Sequence, residues 1–306
     1  IIRYFDFSFI EGSELLSVND WNKKISDING DGVVYGIIPQ NNEEIIEIRK
    51  ALLDKTACHE RIVFVLPTQK KEIEDAVYEY QALKKLKEEN LGDESLVEEL
   101  EIYLEDLEEV LHRFISAYLR PELREAEYYY MGKKHPIYRK TQVSQLLSKI
   151  CQNIYTQMPV IKNEVINKDI LSSVAINSRS KVINGLLSNE LQPNLGLTGT
   201  GQDIFIMRST LVNKGILVEK DSLVQLRISG NEDEKIQNVL NVISEFFMFA
   251  SKGRKANFGQ LYVKLTSPEY HIGLKKGVIP IYIAAVLHHY KQHLVVVRNN
   301  RELDIT

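Results

Sequence analysis

Two short runs constrain the fold more than anything else in this 306-residue chain. Val33-Val34-Tyr35-Gly36-Ile37-Ile38-Pro39 and Arg61-Ile62-Val63-Phe64-Val65-Leu66-Pro67 are almost continuously apolar, with many β-branched and aromatic side chains. A strand with one wetted face alternates polar and apolar residues. A strand without that alternation is covered on both faces, as in a parallel sheet held between layers. Between the runs, Asn42 to Leu53 has helical spacing and opens on the pair Asn41-Asn42, whose side chains suit an N-cap. Ile1 to Phe9 has strand composition and Asn19 to Ile28 suits a short helix. Residues 1–69 are therefore expected to form an α/β unit with a partial parallel sheet. This pattern fits the trailing half of a P-loop core and equally an unrelated α/β domain.

From Lys70 the pattern becomes helical and charged. Asn90-Leu91-Gly92-Asp93 reads as a turn between two helices. In the second, Val97, Leu100, Leu104, Leu107, Leu111, Phe114 and Tyr118 fall at alternating steps of three and four, the spacing of a coiled-coil seam. Glu98, Glu99, Glu101, Glu105, Asp106, Glu108 and Glu109 cover its other faces, too many for a catalytic pair and suited to a solvated surface. Residues 70–127 are expected to project as a helical hairpin; a plain helix of a globular bundle would show the same period.

Residues 128–215 read as a helical region. Tyr128-Tyr129-Tyr130 and Tyr138 lie beside Lys133-Lys134 and Arg139-Lys140, a mixture that contacts phosphates and stacks on bases, or else marks a surface corner with core tyrosines. A helix pattern follows (Val143, Leu146, Leu147, Ile150, Ile154), then a Met-Pro break, the polar residues Asn163, Glu164 and Asn167, and a second helix carrying Ser172, Ser173 and Arg179. These polar residues fit either caps at a helix corner or a polar site between two helices. An arginine there either pairs with Glu164 inside the protein or points at a nucleotide phosphate.

The stretch Pro159-Val160-Ile161-Lys162-Asn163-Glu164-Val165-Ile166-Asn167, with Leu171-Ser172-Ser173 and Arg179, resembles the middle region of the very large bacterial phage-defence P-loop ATPases, the BREX-type ATPases and their relatives. Downstream, Phe258-Gly259-Gln260-Leu261, Leu265-Thr266, Pro268, Tyr270, Gly273-Leu274 and Gly277-Val278-Ile279-Pro280 resemble a second segment of that group. The resemblance implies an ATPase in a longer protein, engaging DNA or other defence-system proteins. Asn163, Glu164, Asn167, Ser172 and Arg179 are then nucleotide-associated or structural. No G-x-x-x-x-G-K-[ST] occurs in the chain, so ATP and Mg would need residues outside it. The chain opens at Ile1 without a methionine and reads like a piece of a longer protein.

Residues 216–306 read as a winged-helix-like region: a helix from Asp203 to Lys214 leads into it, followed by strands Ile216 to Glu219 and Leu223 to Ile228 joined by Lys220-Asp221-Ser222, the order expected of a winged helix. A strongly apolar helix follows from Asp233 to Ala250. The order then recurs, with helices near Phe258 to Leu265 and Ile279 to Tyr290 and strands around Asn299-Asn300. The nucleic-acid-binding candidates are Arg254, Lys255, Lys275 and Lys276. The rival to the ATPase reading is a non-enzymatic DNA-binding or interaction scaffold.

A net charge of −4 argues against a surface coated for nucleic acid, although it leaves room for a local basic patch. Cys58 and Cys151 form no CxxC, which suggests neither a zinc site nor a disulfide framework and points to reducing cytoplasm. No apolar run is long enough to span a membrane, and no metal is expected. Asp27-Ile28-Asn29-Gly30-Asp31-Gly32 imitates a calcium loop, but its twelfth position is Ile38 rather than an acid, so it reads as a turn before a strand. Gly199-Thr200-Gly201 reads as the flexible start of a helix with Asp203 near its cap, more than as a phosphate cradle. His288, His289 and His293 sit at a helix end where cations are favoured, and no further ligand lies near them in sequence.

Overall fold

The computed structural model describes residues 3–26, 28, 30–54, 58–220, 223–299 and 301–303. They form two compact units, Arg3–Gln152 and the residues from Asn153 onward.

The first unit is a five-stranded mixed sheet. Its elements run β1 (Phe5–Glu11), α1 (Gly12–Ser17), α2 (Trp21–Ile25), β2 (Gly32–Ile38), α3 (Asn42–Leu53), β3 (Ile62–Pro67), α4 (Glu74–Glu89), α5 (Glu94–Leu119), β4 (Ala126–Tyr130) and β5 (Lys133–His135). The strands lie in the order β1-β2-β3-β4-β5, with β1, β2 and β3 parallel and the last two antiparallel. The two apolar runs are indeed neighbouring parallel strands, and β3 is buried at every position.

Successive right-handed crossovers that step one way along a sheet put their helices on one face. Accordingly Leu15, Trp21, Ile25, Ile45, Ile48 and Leu52 pack with Val33, Tyr35, Ile37, Ile62, Phe64 and Leu66 in one core. The opposite face is covered by the end of α5: Phe9 meets Tyr118 edge-on with centroids 5.1 Å apart, and the Tyr118 hydroxyl donates to Ile37 O at 3.0 Å. Asn41 Oδ1 accepts from Glu44 N at 2.8 Å, the cap expected for α3, while Asn42 Oδ1 accepts from Lys70 N.

Between β3 and β4 the chain leaves the sheet as the helical pair α4 and α5. No residue of α4 is fully buried, and Leu100 and Leu104 carry the seam on α5. The seam gives way at Phe114, Ala117 and Tyr118 to packing against the sheet. Tyr128, Tyr129 and Tyr130 lie in β4, so the boundary expected at 127 and 128 falls inside a strand. Tyr128 and Tyr129 are buried, and the Tyr130 hydroxyl donates to Glu60 O, which favours the core-tyrosine reading of this trio over the base-stacking one.

α6 (Lys140–Ile154) carries the chain into the second unit. There α7 (Ser173–Leu187), α8 (Gln202–Met207) with a π-helical extension Arg208–Val212, α9 (Glu234–Ser251), α10 (Phe258–Thr266) and α11 (Ile279–Tyr290) build a helical core. Two small antiparallel hairpins accompany them, β6 (Leu217–Lys220) with β7 (Leu223–Leu226), and β8 (Val296–Arg298) with β9 (Arg301–Leu303). Asp221, Ser222 and Asn300, expected in the two turns, lie outside the described residues, as do Asp27 and Asn29 of the calcium-like loop.

α11 is the axis of this core. Ile279 and every residue from Ile281 to Leu287 are buried, and α7 and α9 pack against the helix. A helix apolar on all sides is stable only when it is enclosed. Among the described residues no helix is long and apolar enough to cross a membrane.

Candidate functional site

The loop between α6 and α7 is shaped by its own polar side chains. Asn163 is buried, and its Oδ1 accepts from Val165 N at 3.0 Å, closing a tight turn. Its Nδ2 donates to Ser209 Oγ at 2.8 Å. Asn167 N donates to Asn163 O, and Asn167 Nδ2 donates to Ile161 O at 3.2 Å. A buried amide that spends its donors and acceptor this way holds backbone in place; removing it would strand several polar groups at once. Ser172 accepts from Ala175 N and caps α7.

The Ser209 partner lies on the π extension. Ser209 Oγ donates to Phe205 O at 2.7 Å and Thr210 Oγ1 to Ile206 O at 2.7 Å, so two hydroxyls compete for carbonyls of the preceding turn where the helix widens. The widened helix leaves Phe205, Arg208 and Val212 on its outer face, with Phe205 52% exposed. Phe205 then borders a cleft of about 580 Å³ with Val160, Lys162, Asn163, Glu164 and Lys168.

The stretch from Pro159 to Asn167 and the stretch from Gly277 to Pro280 meet at this loop. Gly277 N donates to Lys168 O at 2.8 Å. A β-carbon on Gly277 would stand 2.2 Å from Ile166 O and 2.8 Å from Lys168 O, so only glycine admits this approach. Arg179 Nη1 donates to Gly277 O at 3.2 Å. The expected pairing of Arg179 with Glu164 is therefore corrected: the guanidinium is engaged by backbone, and Glu164 is exposed at the cleft.

The basic candidates separate. Lys275 is buried and its Nζ donates to Asp169 Oδ2 at 2.8 Å, while Lys276 N donates to Asp169 Oδ1 at 3.0 Å. Burial pushes the Asp169 carboxyl up, but these two donors outweigh it and the net shift is downward. Lys275 is thus a structural cation, a correction to its place in a nucleic-acid surface. Lys276 is exposed beside the same loop. Arg254 and Lys255 are exposed after α9, where the Arg254 guanidinium lies 5.1 Å from the Phe249 ring centroid.

His288 Nδ1 bonds to Leu186 O at 2.7 Å, and Lys291 Nζ donates to Leu187 O and Ser188 O. Together they satisfy carbonyls at the end of α7, where cations meet the negative end of the helix dipole. Burial is the main cause holding the His288 pKa below its ordinary value. No cluster of three or more His, Cys, Asp or Glu among the described residues is placed to hold a metal ion. At the start of α8, Asp203 accepts from Ile204 N and pairs with Lys181 Nζ at 3.3 Å, so a carboxylate already occupies the ground a phosphate would need.

In the first unit, the carboxyl ends of β1 and β2 open into a cleft of about 360 Å³ lined by Glu11, Gln40, Glu74, Tyr78 and Gln81 among others. Open α/β sheets bind ligands at this edge. Here Glu44 Oε2 accepts from Gln40 N and Glu74 Oε2 accepts from Ile73 N, so the chain's own carboxylates fill amide positions that would otherwise draw an anion.

No protein family, curated protein or solved structure matches the chain.

Proposed function

We propose that this chain is part of a large bacterial P-loop ATPase of the phage-defence type, and that its second unit engages DNA while nucleotide is held by other residues of that protein. The observation that carries the DNA-engaging role is the outer face of α8 and its π extension. The helix precedes the β6-β7 hairpin, as a winged-helix recognition helix precedes its wing, and it keeps Phe205, Arg208 and Val212 exposed, with Phe205 bordering the cleft that Lys162 and Lys168 line. Arg208, Lys162 and Lys168 make no ion pair among the described residues, which leaves their charge for phosphates. The later helix and hairpin, α11 with β8-β9, are not read as a second wing, because a helix enclosed on every side cannot enter a groove.

The family reading rests on the two motif stretches and on their convergence at Gly277. The self-filled strand edge of the first unit supports placing the nucleotide elsewhere. That same edge favours the second reading, a non-enzymatic DNA-binding or interaction scaffold.

Fluorescence anisotropy with a duplex of mixed sequence tests the DNA step. Affinity should fall by about tenfold or more between 50 and 200 mM salt, and Arg208→Ala with Lys162→Ala and Lys168→Ala should remove most of it. Salt-independent binding, or full binding by the triple variant, would reject α8 as the contact. ATP turnover by the full-length protein separates the two readings: its absence leaves the scaffold.

A further inference from the structure

The α4–α5 hairpin carries charge that its own structure does not use. Between Lys70 and Arg120 the sequence has fifteen Asp and Glu against seven Lys and Arg, a net −8, so a total of −4 leaves the rest of the chain net positive. On α5 only Glu101 and Glu108 are drawn towards α4, by Lys87 Nζ at 2.6 Å and the Tyr80 hydroxyl at 2.9 Å. Glu98, Glu99, Glu105, Asp106 and Glu109 are exposed, and no hydrogen bond or ion pair holds their carboxylates among the described residues.

In their midst stand Ile102, 63% exposed, and Tyr103, 53% exposed. Residues three and four apart are neighbours on a helix surface, so Ile102 is flanked by Glu98 and Glu99 on one side and by Glu105 and Asp106 on the other. An apolar pair inside a ring of carboxylates has the layout of an interface, with an anchor at the centre and a charged rim. Like charges at these spacings also weaken the helix slightly, a cost removed when a cation arrives.

We propose that this face of α5 docks a basic amphipathic helix of a partner protein, which lays apolar side chains on Ile102 and Tyr103 and lysines or arginines among the five carboxylates. Charge complementarity selects that occupant. Nucleic acid and anionic lipid are repelled by the same ring, and a second copy of this hairpin would bring acid against acid. The hairpin offers a groove-free helical surface, to which a third helix adds as in a coiled coil. The proposal rests on the hairpin alone and does not depend on the DNA-engaging role of the second unit.

The probe is a synthetic amphipathic helix of about six turns with leucines on one stripe and lysines flanking it, labelled and titrated with the intact chain. Binding should weaken by about tenfold or more from 50 to 300 mM salt. Ile102→Asp with Tyr103→Asp should weaken it by a similar factor. A charge-reversed variant, with Glu98, Glu99, Glu105 and Asp106 changed to Lys, should lose the lysine probe and gain its glutamate counterpart. Reversal leaves the Leu100 and Leu104 seam intact, and an unchanged circular dichroism spectrum and melt confirm the fold. Equal binding of the lysine probe by the reversed variant overturns the proposal. So does sedimentation showing that the chain dimerises and that Ile102→Asp makes it monomeric, since the face would then belong to a second copy.

Discussion

α8 and α11 occupy the same place in two successive segments, each a helix followed by a two-stranded hairpin, and they do opposite things. α8 with its π turn buries Ile204, Ile206, Met207 and Leu211 and keeps Phe205, Arg208 and Val212 in solvent. α11 buries nearly everything from Ile279 to Leu287. Element order is thus shared by a surface helix and a core helix. What separates them is whether polar residues interrupt the apolar ones at helical spacing, as Arg208 does in α8 and as nothing does between Ile281 and Leu287.

The largest effect expected from this contrast is on stability. Ile281→Ala should destabilise the second unit by about 2 to 5 kcal/mol, the range for emptying a well-packed site, and denaturant melts measure it. A cost near zero would mean that α11 is not the axis of the core. Arg179→Ala should cost about 1.5 to 3 kcal/mol, because a charged donor is removed from the Gly277 carbonyl. Glu164→Gln, at the exposed rim of the same loop, should stay within about 0.5 kcal/mol. Equal losses for the two would revive the ion pair.

On α8 the effects move from stability to binding. Phe205→Ala and Arg208→Ala should each leave the melt within about 0.5 kcal/mol of the parent. Arg208→Ala should lower the slope of log affinity against log salt by about 1 if the guanidinium meets a phosphate. An unchanged slope would place the contact elsewhere, with Arg254, Lys255 and Lys276 the next positions to replace.

The smallest effect is on pH dependence. The folded His288 pKa lies below the unfolded value, so the unfolded chain binds more protons, and stability is full above about pH 6.5 and falls on acidification through the folded pKa. Replacing His288 with Gln should flatten the melt between pH 7 and pH 5.5. Asp169 and Asp233, whose pKa values are depressed, lose their contribution only below the ordinary carboxylate range and do not interfere in that window.

Much of the first unit was legible in the sequence. The β2 and β3 runs, the Asn41 cap and the paired helices around Asn90 to Asp93 declare themselves through local period and local hydrogen bonding. β4 did not, because Tyr128-Tyr129-Tyr130 stands among charges and fits a base-stacking surface or a corner with core tyrosines equally in local pattern, and its strand shows only when β3 is placed beside it. In the candidate site the polar residues of the Asn163 loop were identified, but not their partners. Ser209 lies 46 residues from Asn163, and Asp169 lies 106 from Lys275. Nothing in local spacing reports such a pairing, so Lys275 looked like one more surface lysine. Phe205 was missed for the same reason: its exposure follows from how the widened helix sits on the core.

The joint at Gly277 also sets a schedule. The loop that shapes the cleft is translated about a hundred residues before the segment that fixes it, and contacts so distant along the chain form slowly, since the intervening chain must first be closed into a loop. While the chain is being made, α7 and α8 leave the ribosome with Asn163 to Asp169 not yet held by Gly277, Lys275 or Lys276. The cleft is then among the last features of the second unit to acquire its form, and any truncation ahead of Gly277 produces helices without it.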